Sequence, residues 1–133
     1  MAIVKWFGNQ IDAIINRQAQ KAVEALAYDV RERARQNLDA GDHNDTYFLR
    51  NSVYVSTPHG TSPIHPDGMY TSTKGNGQVR RESGEIVAVS RGAFVGAAAA
   101  YALYVELEDP FLYKAIEETR GAADKVLTGL YIA

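Results

Sequence analysis

The chain has no cysteine among its 133 residues. Disulfides, thiol nucleophiles and cysteine-ligated metals are therefore excluded. No run of 18 apolar residues occurs, so no membrane-spanning helix is expected. The opening Met-Ala-Ile-Val-Lys-Trp-Phe lacks a long apolar core followed by a cleavage site and does not read as a signal peptide. Proline is scarce, and Pro58, Pro63 and Pro66, three of the 4 present, fall in one stretch. A strong charge of either sign is also missing, the formal net charge being −2. Chains built to grip nucleic acid are usually basic, so the chain as a whole is not expected to hold it. What is present is ordinary globular composition, 46% hydrophobic and 23% charged. That suffices for a single domain over residues 1–133 with a real core.

The longest periodic stretch is residues 9–38. Ile11, Ile15, Ala19, Ala22, Val23, Leu26, Val30, Ala34 and Leu38 recur at steps of three and four. This predicts a long amphipathic helix. Asn9 is placed to cap it, Asp12 to complete a capping box, and Gly41 to end it. Arg31, Arg33 and Arg35 sit near its C-terminal end, where cations suit the helix dipole. Such a helix would be roughly 45 Å long, longer than a small domain is wide, so one end should project or pack on a neighbour. The alternative is a break near residues 18–20. Trp6 and Phe7 precede the helix. Phe7 can staple onto Ile11, and Trp6, the only tryptophan, suits either that local role or an interface anchor.

Residues 39–46 read as a polar turn. Leu49, Val53 and Val55 alternate with polar neighbours, predicting a half-buried strand over residues 49–56. Residues 57–85 carry prolines and glycines without a sustained period and read as a long extended loop. Its apolar anchors, Ile64, Met69 and Tyr70, gain nothing from water and suggest an arm that reaches a partner; folding back over its own sheet is the alternative. Arg80 and Arg81 add a small basic stretch that faces either solvent or an acidic neighbour. Residues 86–89, Ile-Val-Ala-Val, predict a strand in a hairpin with residues 93–95.

Residues 93–116 are the densest stretch. Phe94 and Val95 are strand formers, the alanines that follow favour a short helix, and Tyr101, Tyr104 and Val105 share a face of it. Asp109 and Pro110 restart the chain, with Asp109 as N-cap and Pro110 at the first helical position. Phe111, Leu112, Ala115 and Ile116 then form one face of a closing helix that runs to about Leu127. Tyr104 and Phe111 are both placed inward. The apolar tail of Leu130, Tyr131 and Ile132 either docks back or meets a partner. The fold class is α+β: a long N-terminal helix, a small antiparallel sheet and C-terminal helices packed on it.

Catalytic constellations are sparse. His59, His65 and Asp67, with Asp42, His43 and Asp45, have metal-ligand chemistry, but their spacing matches no known site and they lie in flexible-looking chain. Ser83 and Ser90 are not in a nucleophile elbow. Glu106 and Glu108 stand two apart on a helix and diverge. Glu106 is expected to accept a backbone or tyrosine hydrogen bond, or to pair with an arginine. Gly75-Asn76-Gly77 is too short for a phosphate loop. No catalytic, cofactor or metal residue is assigned, and the chain is not expected to be an enzyme.

The element order carries a resemblance. A strand, then Tyr101-Ala-Leu-Tyr104-Val105-Glu106, then Pro110-Phe111-Leu112 with Ala115-Ile116, resembles the small tail-component family of tailed bacteriophages. Leu49, Arg50 and Ser52 are similar to that family's Leu-Arg-x-Ser signature after the first helix. The family usually has a Gly-Thr and a proline-rich loop before Pro-Phe-Leu, where only Leu107, Glu108 and Asp109 stand here. The resemblance implies a structural virion protein for tail completion, tail termination or head–tail joining. Such a protein would form a homomeric ring at the neck, six copies by analogy, assembled in the host cytoplasm. It would contact the adjacent neck and tail-tube proteins and let DNA through. Trp6, Ile64, Met69, Tyr70, Arg80 and Arg81 are the candidate partner contacts. A head-side stopper or adaptor ring is the alternative within assembly proteins, and a small metal-dependent hydrolase is the alternative from another class.

Overall fold

The computed structural model describes residues 2–132, with side chains described over residues 16–127. Helix α1, Ala2–Ala40, is one continuous helix of 39 residues. No break occurs near residues 18–20, and at 1.5 Å per residue it is about 60 Å long. Asn9 lies inside it and not at its start. Trp6, Phe7, Ile11, Ile15, Leu130, Tyr131 and Ile132 have side chains outside the described residues. Among the described side chains of α1 the buried ones are Ala27, Val30, Ala34 and Leu38, whereas Ala19 and Val23 of the same apolar stripe are open to solvent.

The helix ends in a Schellman motif. His43 N–H donates to Leu38 O at 3.1 Å and Asp42 N–H to Asp39 O at 3.2 Å. The left-handed residue is Asp42, φ 56°, and not Gly41. Gly41 leaves room for the pair beside it: a Cβ there would stand 2.6 Å from Asp109 Oδ2 and 2.7 Å from the His43 ring, so those side chains would have to shift.

The predicted strand over residues 49–56 starts late. Residues Phe48–Ser52 form a helical turn, α2, and β1 is Val53–Thr57. Phe48 and Leu49, both buried, enter the core from this turn rather than from the strand. Ser52 Oγ closes the turn on Leu49 O at 2.7 Å. β1 is buried at every position and is the centre of a three-stranded antiparallel sheet, order β2-β1-β5, with β2 at Gly60–Thr61 and β5 at Phe94–Ala97. Val53 pairs with Ala97 and Val55 with Val95.

Residues 86–89 form no strand, and the expected hairpin with residues 93–95 is absent, because β5 takes β1 as its partner. The loop at residues 57–85 is not structureless either. It contains β2 and a separate hairpin of β3, Gly68–Thr71, and β4, Gln78–Arg81.

Helices α3, Ala102–Glu108, and α4, Phe111–Ile132, close the fold. Phe111, Ala115 and Thr119 are the buried positions among the described side chains of α4, with Leu112 packed partly against the core; Ile116 is exposed, against expectation. α4 lies along α1. Asp29 receives both Thr119 Oγ1 and Arg33 Nε at 2.7 Å, and Asn37 donates to Phe111 O at 3.1 Å and Glu118 at 2.9 Å. Leu38, Phe48, Leu49, Val53, Phe111 and Ala115 form the core where α1, the sheet and α4 meet.

Candidate interaction surface

The start of α4 explains how α3 is positioned. Lys114 N–H reaches Pro110 O at 3.2 Å, which makes Pro110 the capping residue rather than the first helical one. Proline has no side-chain acceptor, and the carboxylate of Glu106 serves instead. It accepts from Leu112 N–H and Tyr113 N–H, each at 2.9 Å, where a normal N-cap side chain would bond. This is the backbone role expected for Glu106. Asp109 does not cap α4; it pairs with His43 Nε2 at 2.9 Å and ties the end of α3 to the end of α1.

With Glu106 turned to α4 and Val105 and Ala102 against the core, the rest of α3 faces outward. Leu103 is 65% exposed, Tyr104 73% and Leu107 74%. Tyr104 is therefore not an inward residue, whereas Phe111 is. Leu103 and Leu107 are one turn apart and form an apolar ridge. Beside it lies a shallow depression of about 180 Å³ lined by Ala97, Ala102, Leu103, Glu106, Phe111 and Leu112. Glu106, Glu108 and Asp109 give this ridge an acidic rim.

Tyr101 points the other way. Its ring lies under the Arg81 guanidinium, 4.6 Å from the centroid, and burial raises its phenol pKa, a rise that Arg81 opposes. Arg81 also bonds Thr46 Oγ1 at 3.2 Å and Asp45 at 3.5 Å. Tyr70 packs on Phe48 with ring centroids 5.1 Å apart. These contacts commit Tyr70 and Arg81 to the molecule's own body and support the folded-back alternative for the hairpin. Ile64 is half-buried; only Met69, and Arg80 in its pair with Glu82 at 2.8 Å, still face outward. Of the motif residues, Leu49 is core, Arg50 bonds Asp39 at 2.9 Å, and Ser52 holds the α2 turn.

The histidines do not converge. His43 is spent on Asp109, His65 stacks on Tyr70 at 6.1 Å, and Asp67 accepts Ser83 N–H at 2.9 Å. Among the described residues no group of three His, Asp or Glu side chains is placed to hold a metal ion.

Two features escaped the sequence reading. One is the polar turn before α2. Asp45 accepts the Ser72 hydroxyl and Lys74 N–H, while its own carbonyl takes Thr73 N–H at 2.6 Å. The Ser72 hydrogen bond above all holds its carboxyl below the usual carboxylate range; partial burial opposes, and Lys74 N–H, Arg81 and Lys74 add to the lowering. Nothing in a run of small polar residues signals this role.

The other is a groove of about 560 Å³ on α1, lined by Asn16, Ala19, Gln20, Val23, Arg91 and Gly92. Gln20 builds its wall by exchanging two hydrogen bonds with Gly92, donating to its carbonyl at 2.8 Å and accepting its N–H at 2.9 Å. The signal for this groove was in the apolar stripe, which runs on past the part of α1 that the chain's own core covers. Comparison of the chain with protein-family models, curated proteins and solved structures found no match to any of them.

Proposed function

We propose that this chain is a structural component of the neck or tail top of a tailed bacteriophage, acting in tail completion or head–tail joining as a homomeric ring. One observation supports it most: α3 turns three large side chains, Leu103, Tyr104 and Leu107, to solvent. Exposed apolar clusters with polar rims are what association surfaces look like. The polar side chains that might have done chemistry are engaged instead in holding elements together, as Glu106, Asp109 and Asp45 do. The net charge of −2 suits a lumen through which DNA moves without being gripped. Light scattering and negative-stain electron microscopy of the purified chain test the reading. Closed rings with no tight duplex-DNA binding at physiological salt are expected. A chain that stays monomeric at high concentration, or that binds duplex DNA at sub-micromolar levels, would count against it.

A further inference from the structure

We infer that Asn76 is a site of spontaneous deamidation and that the change opens the tip of the β3–β4 hairpin. The inference does not depend on assembly. The reaction needs a side-chain amide free to turn, a following main-chain nitrogen within reach of it, and access for water and hydroxide. Asn76 is the only asparagine that a glycine follows. It is exposed, in the turn at residues 72–77, and its side-chain amide makes no hydrogen bond among the described residues. Asn37, Asn44 and Asn51 are each held through theirs: Asn37 by Phe111 O and Glu118, Asn44 by Asp39, and Asn51 by Arg35 at 3.3 Å. Gly77 meets the second need. It has no side chain, its φ is 71°, and a Cβ placed on it would meet nothing within 4 Å, so the space beside it is open. Its N–H has no acceptor among the described residues. The groups on either side are tied to Ser72, which restrains the turn: Asn76 N–H donates to Ser72 Oγ at 3.2 Å, and Gly77 O accepts Ser72 N–H at 2.7 Å.

The chemistry follows from that placement. Hydroxide takes the proton from Gly77 N, and the nitrogen attacks Asn76 Cγ. The N–Cγ bond forms, the Cγ–Nδ2 bond breaks, and ammonia leaves with a proton from water. Water then opens the five-membered imide that remains, and nothing is oxidised or reduced. Breaking the new N–Cγ bond gives aspartate. Breaking the original bond between Asn76 C and Gly77 N gives isoaspartate, whose main chain is one carbon longer. Either product adds a negative charge. The extra carbon of isoaspartate falls between the two groups that Ser72 holds, Asn76 N–H and Gly77 O, so both bonds cannot stay as they are.

Ageing the full chain at mildly alkaline pH, followed by trypsin digestion and peptide mass mapping, tests this. Trypsin cuts after Lys74 and Arg80 and releases residues 75–80, in which fragmentation tells Asn76 from Gln78. Asn76 should convert at least about tenfold faster than Asn37, Asn44 or Asn51, whose amides must first leave their partners, and faster still as pH rises. Conversion at Asn76 no faster than at those three would overturn the inference. Ser72→Ala frees Asn76 N–H and should speed conversion by about threefold; an unchanged rate would overturn the restraint assigned to Ser72. The isoaspartate form, separated from the rest, should exchange amide hydrogens faster than wild type across residues 68–81. Asn76→Asp adds the charge without the extra carbon and should exchange like wild type. Equal exchange in the isoaspartate and wild-type chains, or exchange in Asn76→Asp as fast as in the isoaspartate form, would overturn the part given to the extra carbon.

Discussion

The β3–β4 hairpin and the extended segment at residues 85–92 are close in the chain and are held in opposite ways. The hairpin is glycine-rich and weak in strand formers, yet it is tied at every level. Its strands pair with each other, Tyr70 rests on Phe48, Arg81 is clamped between Tyr101 and Asp45, and Ser72 organises the turn by accepting N–H groups of Lys74 and Asn76. Residues 86–89, Ile-Val-Ala-Val, are rich in strand formers. They hang by little: Val87 N–H donates to Tyr54 Oη at 3.0 Å, and further on Gln20 holds Gly92. A short bridge of Ser83 with Ala99 begins a pairing with the β5 edge, and the chain then leaves that edge. Strand propensity measures fit to a neighbour, so without the neighbour it decides nothing.

The largest expected effect comes from removing the shelf under the hairpin. Phe48→Ala should cost about 4 kcal/mol, since it empties a fully buried site and takes the support from Tyr70. Chemical denaturation measures this; a loss below about 1 kcal/mol would mean that the hairpin and core are independent. Ser72→Ala should cost about 1 kcal/mol and raise hydrogen exchange in residues 72–77, because the turn loses its internal acceptor while water replaces part of it. Unchanged exchange there would show that the backbone bond from Ser72 N–H to Gly77 O, 2.7 Å, is enough.

A smaller effect is expected from pH. The Asp45 carboxyl is depressed in the fold, so its ionised form favours the folded state. That contribution is whole above the unfolded aspartate value of about 3.9 and is lost as pH falls through the lower folded value. Asp45→Asn should melt below wild type near neutral pH, and the gap should narrow as pH drops below about 4. A gap that is constant with pH would assign the anchoring to geometry alone. The smallest effect belongs to the other region. Ile86→Thr should change stability by no more than about 0.5 kcal/mol. A large loss would show that residues 86–89 carry packing that their exposure does not suggest.

Much of the framework was legible. The three-and-four spacing of Ala22, Val30, Ala34 and Leu38 marked α1, and Phe111 with Ala115 marked the inner face of α4. The face of α3 was misjudged at Tyr104. Periodicity shows that residues share a side of a helix but not which side meets the core, and on a helix of 7 residues the difference is one position. The cap was legible only in part, because Asp109 and Glu106 are both acidic and only the path of the chain puts one of them over the free N–H groups of Leu112 and Tyr113.

The amino-acid sequence by itself determined what local chemistry controls: that a long helix precedes the sheet, that Asp109 and Pro110 separate α3 from α4, and the absence of thiol chemistry. Tertiary structure alone decided which extended segments became strands, that Asp45 is an anchor, and that Ala19 and Val23 lie beyond the reach of the core. The reason is physical. Helical hydrogen bonds close within four residues, so composition along the chain can specify them. Strand pairing, polar anchoring and burial each need a partner remote in sequence, and only the folded chain brings that partner within reach.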